Sequence, residues 1–172
     1  MTTSPSTQST VRTAYRSPLG LMTLAASPAG LRGVWFDGQK HQPDVGPWPV
    51  DGQHPVLVSA AAQLNEYFAS IRQTFDLPLD LTAGTPFQQA VWRALQAIPA
   101  GSTNAYGALS QRIGKPAAVR AVAAAVGRNP LSIVVPCHRV IGSQGALTGY
   151  AGGLERKAAL LALEGALLQQ AA

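Results

Sequence analysis

The chain has 172 residues, 47% of them hydrophobic, and a formal net charge of +5 at pH 7, which is enough apolar material for a packed core and excludes a disordered or fibrous chain. No apolar run approaches the ~20 residues that a membrane-spanning helix needs, and the single cysteine excludes an internal disulfide and a cysteine-based zinc cluster. His41, His54 and His138 show no metal-ligand spacing, so neither a metal nor a cofactor is expected.

Residues 1–10 are polar and rich in Ser and Thr, without the basic start and apolar stretch of a secretory signal. They are expected to form a flexible tail on a cytoplasmic protein. Three runs of β-type residues, 11–16, 21–26 and 31–36, are separated by Ser17-Pro18-Leu19-Gly20 and Ser27-Pro28-Ala29-Gly30. These turn signals predict a three-stranded antiparallel meander. Residues 37–54, rich in Pro, Gly and Asp, read as loop. Ala60, Leu64, Tyr67, Phe68 and Ile71 then recur at helical spacing and predict one amphipathic helix over the sheet. Residues 74–81, interrupted by Pro78, read as an edge strand or linker. Thr82-Ala83-Gly84 marks a domain boundary, giving an N-terminal domain over 11–82 and a C-terminal domain over 85–170.

Thr85 and Gln88 form a capping box around Pro86, which occupies the favoured first helical position. Phe87, Val91, Ala94, Leu95 and Ile98 carry that helix along one face, with Trp92 as a core or interdomain packing residue. A helix-turn-helix follows: residues 106–113, a turn at Gly114-Lys115-Pro116, and residues 117–126 closed by Gly127. Val119, Val122 and Val126 give the second helix a buried stripe. Its remaining face is mostly alanine, with Arg120 the only large polar side chain. Reading base edges in the major groove takes several Arg, Asn or Gln side chains, which this helix lacks. A face of this kind suits either the narrower minor groove, with one inserted side chain, or a helix packed on both sides. Residues 1–84 carry a net charge of −1 and residues 85–172 a net +6, an asymmetry that points to a polyanion-binding C-terminal half.

Leu131-Ser132-Ile133-Val134-Val135 reads as a short buried strand ending at Pro136. Cys137 then stands beside His138 and Arg139 at a strand-to-turn junction, the local chemistry of an activated nucleophile. A lone cysteine is otherwise a small buried hydrophobe. Residues 142–153 form a glycine-rich loop, and 154–166, carrying Leu160, Leu161 and Leu163, a final helix.

The run Ile133-Val134-Val135-Pro136-Cys137-His138-Arg139-Val140-Ile141, followed by Gly149-Tyr150-Ala151-Gly152-Gly153-Leu154, resembles the O6-alkylguanine–DNA alkyltransferases, or methylated-DNA–protein-cysteine methyltransferases. Phe87-Gln88-Gln89-Ala90-Val91-Trp92, the Tyr106 helix, Arg120-Ala121-Val122 and Arg128-Asn129-Pro130 fall in the family's order. The likeness covers essentially all of 85–165 and is weaker over 11–82. It implies an α+β protein: a small N-terminal α/β domain with a ribonuclease-H-like antiparallel sheet, then a mainly helical domain of winged helix-turn-helix type. It also implies direct-reversal DNA repair, an irreversible, single-turnover transfer of the alkyl group to Cys137. The substrate would be double-stranded DNA containing O6-alkylguanine, with O4-alkylthymine a second candidate, and the chain would act as a monomer without a protein partner.

The same resemblance assigns roles. Cys137 is similar to the alkyl acceptor, with His138 and Glu164 as the relay that favours thiolate through a water. Tyr106 is similar to the residue that rotates the target nucleotide and hydrogen-bonds the extruded guanine, and Arg120 to the finger that fills the vacated stack. Lys115 and Arg128 would hold phosphates, and the small Ala121 and Ala124 would let the helix approach the groove. Asn129 is similar to a hinge; Val140, Tyr150, Ala151 and Gly152 would belong to the substrate pocket. Ala105 stands where the family commonly has Ser, which leaves Asn104 as the candidate helix cap. Two rival readings are a cysteine hydrolase and a non-catalytic alkyltransferase-like lesion binder; relatives of the latter kind lack the reactive cysteine, so Cys137 argues against it.

Overall fold

Gly20 and Gly30, with φ of 124° and 143°, close two tight turns that few other residues could form. They join β1 (Val11–Ser17), β2 (Gly20–Ser27) and β3 (Gly30–Phe36) into an antiparallel sheet of order β1-β2-β3, as the turn signals predict. The structure, a computed structural model, describes residues 9–166. Most of the expected N-terminal tail and the last residues of the expected 85–170 domain lie outside that range.

Helix α1 (Pro55–Phe68) starts with Pro55 in its first turn and with His54 Nδ1 accepting from Val56 N at 3.2 Å. It buries Leu57, Ala60, Leu64 and Tyr67. Ile71 does not extend this stripe: the helix ends at Phe68, Ser70 turns the chain away at φ 59°, and Ile71 is 76% exposed.

The outer edge of β3 is covered by two separate segments. Leu31 donates to Pro78 O at 2.7 Å and accepts from Asp80 N at 2.8 Å, so residues 74–81 do supply an edge pairing. Further along, Val34 donates to Pro130 O at 2.8 Å and accepts from Ser132 N at 3.0 Å. This second pairing fastens the segment before Cys137 to the N-terminal sheet and leaves no open edge there.

The helical half begins with α2 (Pro86–Leu95), whose capping box is complete: Gln88 N donates to Thr85 Oγ1 at 3.1 Å and Thr85 N to Gln88 Oε1 at 3.0 Å. Strand β4 (Asn104–Ala105) leads into α3 (Tyr106–Arg112), then α4 (Val119–Gly127), β5 (Val140–Ile141), parallel to β4, and α5 (Leu154–Leu163). Asn104 does not cap α3; it pairs with Val140 in the two-stranded ladder, and Ala105 stands at the cap without a side-chain bond. The second helix of the helix-turn-helix starts two residues later than predicted, and α5 ends three residues earlier, at a left-handed Gly165. Trp92 Nε1 donates to Ala125 O at 2.8 Å, binding α2 to α4 within a hydrophobic core that continues into the N-terminal half.

Residues 131–135 are buried as expected but are not a strand. Asn129 closes them into a loop: its Nδ2 donates to Val135 O at 2.8 Å and its Oδ1 accepts from Leu131 N at 3.0 Å. One side chain thus replaces the neighbours that a strand would need. Successive tight turns between, with Val135 N bonded to Leu131 O at 2.8 Å, hold Ile133 at φ 73°, a costly conformation for a β-branched residue.

Candidate active site

Cys137 opens a short 3-10 turn, Cys137–Arg139, directly after this loop. Cys137 is 6% exposed and lines a cavity of about 200 Å³ between the two halves of the protein. Tyr106 from α3, Ala123 and Gly127 from α4, and Tyr150 and Ala151 from the glycine-rich loop share that cavity, as do Lys40 and His41 from the N-terminal loop. Lys40 N bonds Ala151 O at 3.1 Å, fixing one loop against the other.

Behind the thiol, His138 is fully buried and its Nε2 stands 2.8 Å from Glu164 Oε2. Glu164 also accepts from Arg139 Nε and Nη2, both at 2.9 Å, and from Tyr67 Oη at 2.7 Å. Desolvation alone would raise the Glu164 pKa, but the His138 and Arg139 donors overcome it and hold the carboxyl at about 2. An ionised carboxylate only accepts hydrogen bonds, so the His138 Nε2 is the donor and a neutral ring carries its lone pair at Nδ1. Nδ1 is buried and has no hydrogen-bond partner among the described residues. Burial lowers the His138 pKa against the opposing pull of Glu164, so the resting ring is neutral and able to take a proton.

Burial raises the Cys137 pKa, against smaller lowering effects from Asn129 and Lys157. The resting group is therefore a thiol, and the site supplies a base rather than a standing thiolate. Lys157 is fully buried with its ammonium donating to Val140 O at 2.6 Å, Thr148 O at 2.8 Å and Gly149 O at 3.2 Å. Burial lowers its pKa to about 8, with Cys137 pulling it back up. It pins the rim of the cavity to β5 and places a positive charge near the sulfur.

The structure brings Cys137, His138, Glu164, Tyr106, Tyr150 and Ala151 together. Tyr106 reaches across the mouth to Thr148 O at 3.3 Å. Gly152 lies behind the wall, where a Cβ would stand 2.9 Å from Phe36 and Tyr150. Val140 is wholly buried and contributes its carbonyl to Lys157. On α4, Val122, Ala125 and Val126 are buried, whereas Arg120, Ala121, Ala124 and the following Arg128 are exposed. A helix packed on both sides is thereby excluded. Val119, assigned to the buried stripe, is instead 37% exposed beside Arg120. Lys115 is exposed in the turn between α3 and α4.

The sequence reading missed Arg139 and Tyr67 as partners of Glu164, and Lys157, Lys40 and His41 altogether. A signal existed for Lys157: with Leu160, Leu161 and Glu164 it recurs at i, i+3, i+4 and i+7, two charged residues on an apolar stripe. For Lys40 and His41, on an irregular loop, there was none. Among the described residues no group of three or more His, Cys, Asp or Glu could hold a metal ion, and no helix is long and apolar enough to cross a membrane.

Comparison with known proteins gives matches along both halves. Residues 10–81 match the 6-O-methylguanine DNA methyltransferase, ribonuclease-like domain, and residues 86–166 the 6-O-methylguanine DNA methyltransferase, DNA binding domain. The methylated-DNA–protein-cysteine methyltransferase of Mycobacterium tuberculosis is 50% identical over 149 residues, 86% of this chain and 88% of the relative. That of Methanosarcina acetivorans is 46% identical over 151 residues, 88% of this chain and 96% of the relative. The crystal structure of M. tuberculosis OGT in complex with DNA superposes with a TM-score of 0.81 at 47% identity, covering 88% of this chain and 91% of that one.

Proposed function

The chain belongs to the 6-O-methylguanine DNA methyltransferase family, and from that premise we propose that Cys137 is the residue that takes the alkyl group, with His138 as its base and Glu164 as the anchor of that base. The protein is a methylated-DNA–protein-cysteine methyltransferase, acting on double-stranded DNA by direct reversal of the alkylation. The observation that carries the assignment is the 2.8 Å pairing of His138 with Glu164 beside the chain's single cysteine, at the wall of a cavity large enough to hold a base.

The target carbon is shielded inside duplex DNA, so the damaged nucleotide leaves the stack, at a cost of about a few kcal/mol. The exposed face of α4 suits this. Ala121 and Ala124 permit close approach to the minor groove, Arg120 fills the vacated position, and Lys115 and Arg128 bind phosphates without reading sequence. Ala123 and Gly127 on the same helix lead into the cavity.

The Cys137 proton passes to His138 Nδ1 through an intervening water, and the imidazolium is stabilised by the Glu164 carboxylate. The sulfur attacks the alkyl carbon as the carbon–O6 bond breaks, and the electron pair stays on guanine. The Tyr106 hydroxyl donates to the guanine while that charge develops, and guanine regains one proton for the one the thiol released. The products are guanine and a thioether. A thioether offers no good leaving group for a further displacement, so the thiol is not regenerated and each molecule acts once. We place the protein in the cytoplasm, acting as a monomer on chromosomal DNA. Cys137→Ser tests the assignment: it should still bind the damaged duplex while restoring no guanine, and substantial restoration by that variant would overturn it.

A further inference from the structure

The Glu164 carboxylate is loaded unevenly. Its Oε1 accepts one hydrogen bond, from Arg139 Nε at 2.9 Å. Its Oε2 accepts three, from His138 Nε2 at 2.8 Å, Arg139 Nη2 at 2.9 Å and Tyr67 Oη at 2.7 Å. A carboxylate oxygen offers about two lone-pair sites, so three donors compete for the atom that His138 uses. The side chains of His138 and Glu164 are 0% and 2% exposed, and such competition is strong where water does not relieve it. Of these donors only Tyr67 comes from the N-terminal half, in the last turn of α1. Its ring is buried against Phe68 and Phe75, with centroids 5.3 and 5.6 Å away, and its hydroxyl has no other partner among the described residues. Burial, and then the Glu164 charge, raise the Tyr67 pKa, so the hydroxyl remains a donor throughout the neutral range.

Packing alone does not call for a hydroxyl here. Phenylalanine would fill the same space, and Glu164 already has His138 and Arg139 to hold it. What the hydroxyl adds is a neutral donor that draws on Oε2 without adding charge. We propose that Tyr67 is a positioning residue for alkyl transfer, whose hydroxyl shares the Glu164 oxygen with His138 and so limits how firmly the carboxylate stabilises the imidazolium. The inference rests on the alkyl-transfer reading, in which His138 starts neutral, takes the Cys137 proton and later releases it. A carboxylate freed of this donor would favour a ring protonated at rest, which is no base for the thiol. The other titratable groups around the pair are Cys137 and Arg139 on the same turn, Lys157 on α5 and Tyr150 on the glycine-rich loop. Burial, then the charges of Arg139 and Lys157, lower the His138 pKa against the pull of Glu164. Tyr67 works on the acceptor itself, and through it the N-terminal half reaches the chemistry across 97 positions of sequence.

The test compares the full chain with its Tyr67→Phe variant in single-turnover methyl transfer from saturating O6-methylguanine duplex, followed across pH. Removing the hydroxyl should move the acid limb of the profile up by about one pH unit, so that transfer below the limb is about tenfold slower. Duplex affinity should not change. In protein labelled with 15N-histidine, the Nε2 proton of His138 should move downfield as its bond to Glu164 strengthens. Glu164→Gln should move the acid limb the opposite way. A Tyr67→Phe variant with the acid limb and the His138 resonance where the parent has them overturns the inference, whatever its overall rate, and leaves the alkyl-transfer reading standing. A parent chain that never methylates Cys137 at any pH overturns that reading, and the inference with it.

Discussion

Glu164 binds His138 Nε2 at 2.8 Å through the same carboxylate that Arg139 grips with two nitrogens at 2.9 Å. The partner of His138 is thus itself held by the residue that follows His138 in sequence. This pairing orients the imidazole with its free nitrogen, Nδ1, away from Glu164.

Glu164→Gln should slow alkyl transfer about a hundredfold, equally on duplex DNA and on free O6-benzylguanine, and leave DNA affinity nearly unchanged. The same carboxylate gives stability a defined acid limit. Its folded pKa of about 2 lies below the ordinary carboxylate value of 4.5, so its contribution is complete above the higher value and is lost as pH falls toward the lower, a difference of about 3 kcal/mol. His138, buried neutral and lowered from 6.5, acts in the same direction, because the unfolded chain binds its proton first. Thermal melting followed from pH 7 to pH 3 should show falling stability in the parent and a shallower slope in Glu164→Gln. A normal pH–rate profile for that variant would remove Glu164 from the mechanism.

Arg120→Ala should weaken duplex binding and slow repair of duplex lesions while sparing reaction with free O6-benzylguanine, because Arg120 is exposed on the helix face proposed to meet DNA and is absent from the cavity lining. Affinity of the parent should fall with salt and vary little with sequence. Equal losses on both substrates would assign Arg120 a structural role instead.

How far the sequence foretold this site depended on whether local pattern or distant contact set the geometry. The hairpin turns and the Thr85–Gln88 box follow from nearest neighbours and were legible, whereas the pattern of α4 left open whether its alanine face is exposed or packed. The 131–135 segment was misread because five apolar residues satisfy a buried strand and a buried loop equally well. What decides is the Asn129 side chain, which bonds both ends of the loop. The role of Glu164 came from family likeness rather than from the residues, and its clamp by Arg139 and Tyr67 spans 25 and 97 positions. Lys40 and His41 reach the cavity only where the two halves meet.

Asn129→Ala should destabilise the protein by about 2–3 kcal/mol, since it leaves Val135 O and Leu131 N buried without their partner. Denaturant unfolding reads this directly. Because Ile133 is held at φ 73° by the same loop, the variant should also relax the Cys137 segment and slow transfer to both substrates. A stability within 0.5 kcal/mol of the parent, roughly the scatter of neutral surface changes, would contradict the hinge.

Lys157→Met removes an ammonium that ties Val140, Thr148 and Gly149 together. Hydrogen exchange should quicken across residues 148–151, and the apparent thiol pKa of Cys137 should rise because a nearby positive charge is gone. Unchanged exchange together with an unchanged thiol pKa would reduce Lys157 to a packing residue.

The most direct test of the central claim is a titration of the protein with excess O6-methylguanine duplex, counting restored guanines per protein molecule while peptide mass spectrometry locates the methyl group. One guanine restored per molecule, matched by one methyl on Cys137 and on no other residue, is the result expected of an acceptor that cannot be regenerated. Several guanines restored per molecule, or a methyl group found anywhere but Cys137, would contradict it.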